Sequence, residues 1–180
     1  MNRQDRWLLP QGIEEALPEA AAQLEHLRQR LLTLFDSWGY DLVIPPPVEY
    51  LESLLYHADH ELDLQTYKVT DQLTGRLMGI PADMTPQVAR IDAHHMHKDE
   101  PTRLCYIGTV LQTRPDDFGS HRSPRQAGVE LYGHSGTASD IEVICMMLQT
   151  LDIAGIGDVW VDLGHVGIFR ELTKQAQLNH

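Results

Sequence analysis

Leu24, Leu27, Leu31, Leu34, Phe35 and Trp38 recur at three- and four-residue steps after Pro18 and Glu19. This spacing predicts an amphipathic helix over residues 18–38, opened by a first-turn proline and stopped at Gly39. Residues 40–44 then read as a short strand, ended by Pro45, Pro46 and Pro47, which cannot donate to a sheet ladder. Residues 50–56 predict a short helix. β-forming residues on both sides of Leu73, Thr74 and Gly75 make residues 65–80 a hairpin with its glycine in the turn. Thr85 before Pro86 is a good N-cap and first-turn pair, and Val88, Ile91 and His95 continue at helical steps, so a helix is expected over 86–97.

Residues 104–111 and 126–132 are apolar and β-forming, and the polar stretch 114–125 lies between them, giving a strand, a long loop and a strand. Thr137 and Asp140 resemble a capping box ahead of an apolar stripe formed by Ile141, Ile144, Cys145, Leu148 and Leu151 and closed by Gly155. Residues 159–163 predict a further strand, and a last helix begins near Val166. That helix meets no glycine or proline stop, which suggests a chain cut inside a larger protein. Local turns join these strands more often than helical crossovers do. The expected class is therefore α+β, an antiparallel β-sheet flanked by helices.

Composition narrows the picture only where it excludes something. A length of 180 residues with 42% hydrophobic and 22% charged positions fits one globular domain, with no second domain. No apolar run approaches the roughly 18 residues of a membrane span, and no apolar stretch follows the N-terminal charges, so the cytoplasm is the expected location. Fourteen Lys and Arg stand against 26 Asp and Glu, a net charge of −12, which disfavours nucleic acid as a partner. Cys105 and Cys145 show no metal-ligand spacing and read as small core residues.

The candidate chemistry lies in residues 79–85, 103–115 and 126–130. Asp83 and Glu130 supply two carboxylates, Thr85 a hydroxyl and Gln126 an amide, all near predicted strand ends. Such a set suits the three N–H donors of an amino-acid ammonium group. The plainer alternative is a group of exposed turn residues, common on so acidic a chain. Arg114, Arg122 and Arg125 form the one basic cluster, either a solvated loop or a contact for a phosphate or a partner. His94, His95 and His97 crowd one predicted helix end and His57 and His60 another segment. They lack a recognised metal spacing such as HExxH, so no metal is expected.

Trp38-Gly39-Tyr40 followed by Asp41-Leu42-Val43-Ile44-Pro45-Pro46 resembles the first signature motif of class II aminoacyl-tRNA synthetases, which serves dimerisation. Residues 103–108, the loop, and Gln126-Ala127-Gly128-Val129-Glu130 resemble the second motif as histidyl-tRNA synthetases carry it. Asp63-Leu64-Gln65-Thr66-Tyr67-Lys68, Ala82-Asp83-Met84-Thr85-Pro86-Gln87-Val88-Ala89-Arg90-Ile91, Glu130-Leu131-Tyr132-Gly133-His134 and Asp162-Leu163-Gly164-His165-Val166-Gly167 are similar to regulatory subunits of ATP phosphoribosyltransferase, paralogues of those synthetases. The resemblance covers nearly the whole chain. It implies the N-terminal portion of a class II synthetase-like catalytic-domain fold without catalysis or cofactor, acting in histidine biosynthesis. It also implies a homodimer, a short-form catalytic subunit as partner, and histidine as ligand at Asp83, Thr85, Gln126 and Glu130.

Departures from the synthetase pattern point the same way. The synthetase arginine that grips the α-phosphate of ATP falls nearest to Gln112, with Arg114 and Arg122 as the cations left in the loop. Glu-Gly-Thr of the synthetase is Asp83-Met84-Thr85, and Pro81 replaces an arginine. The third motif would lie beyond His180. The competing expectation is a piece of a histidyl-tRNA synthetase catalytic domain.

Overall fold

The structure, a computed structural model, describes residues 7–56, 60–96, 100–114 and 121–176. Helix α1 (Pro18–Ser37) ends one residue before the predicted limit and buries Leu31 and Phe35, leaving Trp38 partly outside at 36% exposure. Strand β1 (Asp41–Leu42) is shorter than the 40–44 expectation, although the Val43 amide still donates to the Cys105 carbonyl at 2.9 Å. Ile44, next to the proline run, is 81% exposed. Strand β2 (Glu49–Tyr50) takes the first residue of the predicted 50–56 helix, and α2 keeps only Leu51–Leu54. Helix α3 (His60–Gln65) had no clear signal in the sequence pattern.

The expected hairpin forms from β3 (Tyr67–Thr70) and β4 (Leu77–Ile80). Its turn is held by the Asp71 carboxylate, which accepts from the Leu73 amide and the Thr74 hydroxyl, while Gly75 adopts φ +72°, a conformation glycine reaches without steric cost. Helix α4 (Thr85–Ile91) gives way to a π-helical turn (Asp92–Met96) where a plain α-helix to residue 97 was expected. Residue 97 lies outside the described residues. Strands β5 (Thr102–Thr109) and β6 (Arg125–Tyr132) form the central pair, and the connecting residues 115–120 fall outside the description.

Two three-stranded sheets result, in the orders β1-β5-β6 and β2-β4-β3. The second is antiparallel as expected. In the first, β5 and β6 are antiparallel but β1 runs parallel to β5. One face of this sheet packs Cys105, Ile107 and Val129 against Leu31 and Phe35 of α1 and Met146 of α5 (Thr137–Ile153). The other face packs Leu104 and Tyr106 against Met84 and Val88 of α4 and its approach. Each fully buried large side chain contributes roughly 1.5–3 kcal/mol, so the two clusters clamp the sheet from both sides.

Three expectations near the C-terminal end are corrected. Helix α5 starts after Gly136 with no side-chain cap, so Thr137 and Asp140 do not build a capping box. Its predicted stripe is only partly inward: Ile144, Cys145 and Leu151 are half-buried, Ile141 and Leu148 are 57% and 38% exposed, and the fully buried residue is Met146, outside the stripe. Apolar residues are spread over several sides of the helix, and apolar spacing therefore left its orientation undetermined. Residues 159–163 form no strand and Trp160 is 99% exposed, since no described strand runs beside them. Helix α6 (Val166–Gln175) forms near its expected start. Among the described residues no helix is long and apolar enough to cross a membrane.

Candidate functional site

Antiparallel registry builds the site. Leu104, Tyr106 and Gly108 of β5 stand opposite Glu130, Gly128 and Gln126 of β6. Directly opposed residues share a sheet face, so Gln126 and Glu130 project to the side on which α4 lies. The segment from β4 to α4 brings Asp83 and Thr85 onto that face, anchored by the Leu111 amide donating to the Pro81 carbonyl at 3.2 Å.

The four predicted residues meet in one hydrogen-bonded group. Gln126 Nε2 donates to Asp83 Oδ1 at 2.6 Å, and Gln126 Oε1 accepts from the Met84 amide at 2.9 Å, which fixes the orientation of the amide. Asp83 Oδ1 also accepts from the Thr85 amide at 3.0 Å. This corrects the assignment of Thr85 as N-cap: Met84 takes that position without a side-chain bond, and the Asp83 carboxylate satisfies the first-turn donor. The Thr85 hydroxyl is thereby free for another partner. It lies 3.0 Å from the hydroxyl of Tyr106, which in turn donates to Glu130 Oε1 at 3.3 Å.

Tyr106 is the member that the sequence pattern missed. It is 3% exposed, and its ring lies over Gly128, where an added Cβ would collide with the ring and its hydroxyl. A sequence signal existed, because a glycine two residues from each of Gln126 and Glu130 leaves room on their face for a ring from the neighbouring strand. Reading it requires the register, which a long connection hides.

Burial is the first cause of the electrostatic character of the site. It pushes the Tyr106 hydroxyl up to about 12, the Thr85 hydrogen bond opposes this, and the Glu130 and Asp83 carboxylates add to it. Burial likewise raises Glu130 above the usual carboxylate range, Asp83 adds to the shift, and the Thr85 and Tyr106 hydroxyls oppose it. Among the described residues neither Asp83 nor Glu130 has an ion-pair partner. The Tyr132 hydroxyl, on the same face, is buried with no hydrogen-bond partner among the described residues. Two carboxylates, a hydroxyl and a carbonyl oxygen without a cation offer acceptors of the kind positively charged N–H donors require.

The basic cluster is less uniform. Arg122 is tied into the fold, donating to the Gln112 carbonyl at 3.1 Å, to the Gln11 carbonyl at 3.3 Å and to the Tyr67 hydroxyl. Arg114 is exposed. Gln112 bridges Thr66 across the edge of the second sheet, and its amide donates to the Arg122 carbonyl at 2.8 Å. His94 and His95 are exposed on the π-turn, whereas His57 and His97 lie outside the described residues. Among the described residues no three His, Cys, Asp or Glu side chains converge as a metal site would need.

A family model described as histidyl-tRNA synthetase matches residues 12–180. The chain is 61% identical over 178 residues to an ATP phosphoribosyltransferase regulatory subunit of Thioalkalivibrio sulfidiphilus, covering 99% of this chain and 45% of the relative. It is 59% identical over 175 residues to the same-named protein of Nitrosococcus oceani, covering 97% and 44%. The chain thus spans about half the length of the curated relatives it matches. A solved structure described as an ATP phosphoribosyltransferase regulatory subunit/histidyl-tRNA synthetase, from Bacillus halodurans, superposes with a TM-score of 0.84 at 30% identity. It covers 97% of this chain and 45% of that one.

Proposed function

The chain belongs to the histidyl-tRNA synthetase family, and on that premise we propose that it acts within an ATP phosphoribosyltransferase regulatory subunit and carries no transfer chemistry itself. The observation that carries this reading is the 61% identity over 178 residues to a relative of that name. In this role it is the N-terminal part of a longer class II domain that pairs with a short-form catalytic subunit in the first step of histidine biosynthesis. It relays feedback by histidine in the cytoplasm, without a cofactor, membrane or nucleic acid. The face of α1 together with β1 serves a homodimer.

The site supports histidine as the ligand, held by its ammonium group at Asp83, Thr85, Gln126 and Glu130. Chemistry on ATP is not supported: Gln112 stands where the synthetase pattern has an arginine, and losing one preorganised donor to developing charge costs about 2.7–4 kcal/mol of transition-state stabilisation. Arg114, being exposed, is better placed than the engaged Arg122 to meet a phosphate or the partner. The test mixes the full-length protein with a short-form catalytic subunit and measures phosphoribosyl transfer. Transfer that needs both components and is inhibited by histidine is expected. Histidine-dependent ATP–pyrophosphate exchange by the full-length protein alone would overturn the reading in favour of a tRNA-charging enzyme.

A further inference from the structure

A tyrosine hydroxyl carries one proton, and Tyr106 places its proton on Glu130, 3.3 Å away. The contact of 3.0 Å between the Tyr106 and Thr85 hydroxyls can then be made only by Thr85 donating to Tyr106. The chain of protons runs from Thr85 through Tyr106 to Glu130. Its consequence is a Thr85 oxygen whose own proton is spent and whose lone pairs are free, beside two carboxylates and the Gln126 carbonyl oxygen. Without Tyr106 the Thr85 hydroxyl would be released to donate elsewhere, to a carboxylate or to a ligand.

We infer that Tyr106, seated over Gly128, is the positioning residue that makes this pocket accept an ammonium group in preference to a hydroxyl, by fixing Thr85 as an acceptor. The inference rests on the reading of Asp83, Thr85, Gln126 and Glu130 as an ammonium site and adds the device that sets its selectivity. Tyr106 need not touch the ligand. Its place depends on Gly128, because any side chain there would push the ring off the strand and separate both hydroxyl contacts. The groups facing Glu130 are Asp83 from the loop before α4, Tyr106 from β5 and Tyr132 from β6, with Asp92 of the π-turn acting on Tyr132. None is a cation, so the Tyr106 hydroxyl, donating to Glu130 at 3.3 Å, is what favours its ionised form.

Calorimetry on the full-length protein tests this with histidine and with imidazole lactate, the analogue bearing a hydroxyl in place of the amine. The wild type should prefer histidine. Tyr106→Phe, which keeps the ring, should lower the preference by about ten-fold, the scale of one hydrogen bond to a charged group. The same variant should shift the acid limb of histidine affinity to higher pH, because Glu130 loses a donor that stabilises its ionised form. Gly128→Ala should change both quantities in the same direction, with a thermal melt confirming that the variant is folded. If the wild type binds histidine and Tyr106→Phe leaves both the preference and the acid limb unchanged, the positioning role is overturned while the ammonium site stands. If the wild type shows no preference for the amine, the ammonium site itself fails and the positioning role fails with it.

Discussion

A carboxylate and a tyrosine meet on each face of the central sheet, and the two pairs differ in one ingredient. On the side of α5, Glu142 accepts from Arg103 Nε at 2.6 Å and Nη2 at 2.9 Å, and from the Tyr40 hydroxyl at 3.0 Å. The Arg103 hydrogen bond is the main cause holding Glu142 below its usual range. On the side of α4, Glu130 has the Tyr106 hydroxyl and no arginine, and burial moves its pKa the other way. A carboxylate supplied with its cation is finished as structure, and it ties β5, α5 and the residue after Gly39 together. Glu130 is left without one among the described residues, and the proposed ammonium site rests on that difference. The two carboxylate environments differ by a single guanidinium.

Removing that guanidinium should have the largest effect. Arg103→Met leaves Glu142 without its charge partner, and the expected loss is about 1.5–3 kcal/mol. It should fall toward the lower end because Arg103 is 36% exposed and water screens the pair. Urea titration measures it, and an unchanged midpoint would erase the distinction between the two faces. Glu130→Gln should do the reverse, leaving stability at neutral pH unaltered or slightly raised and weakening histidine binding roughly ten-fold in the full-length protein. Calorimetry finding unaltered affinity would separate the cation-free face from ligand recognition.

Proton linkage sharpens the contrast further. Glu142, with its pKa lowered on folding, contributes stability that is present above the unfolded carboxylate pKa and lost as pH falls through the folded value. Glu130, with its pKa raised, binds its proton more tightly when folded, so its contribution is present at acid pH and lost as pH rises through the window above the ordinary carboxylate value. Melting profiles against pH should therefore change with opposite slopes in Glu142→Gln and Glu130→Gln. Equal slopes would contradict the two environments. The smallest effect belongs to Tyr132→Phe, which removes a buried hydroxyl with no partner. Thermal unfolding should show stability unchanged or raised by up to about 1 kcal/mol.

What could be read without coordinates follows from the range of the interactions. Helix α1 and the β3–β4 hairpin were legible because their signals are local, a three- and four-residue apolar spacing and an Asp71 turn closed at Gly75. The face of α5 was not, since apolar residues occur on every side and Glu142 is drawn inward by Arg103 from another element. Residues 159–163 have the composition of a strand, but a strand needs a neighbour, and pattern alone does not supply one. Asp83, Thr85, Gln126 and Glu130 were legible as a set by resemblance and charge. Their arrangement was not, because the Thr85 and Tyr106 hydroxyls meet only through the β5–β6 register, which spans a long connection.

That register also governs which changes of length the chain tolerates. With β5 and β6 alternating sides every residue, inserting or deleting one residue inside either strand would exchange its two faces, sending Glu130 toward α1 and α5 and Val129 toward the pocket. Lengthening the connection between the strands by one residue moves neither. Variation in length should therefore accumulate between Arg114 and His121, beyond the backbone ties of Leu111, Gln112 and Thr113, and vanish at Thr102–Thr109 and Arg125–Tyr132, where a single codon would turn one face of the sheet into the other.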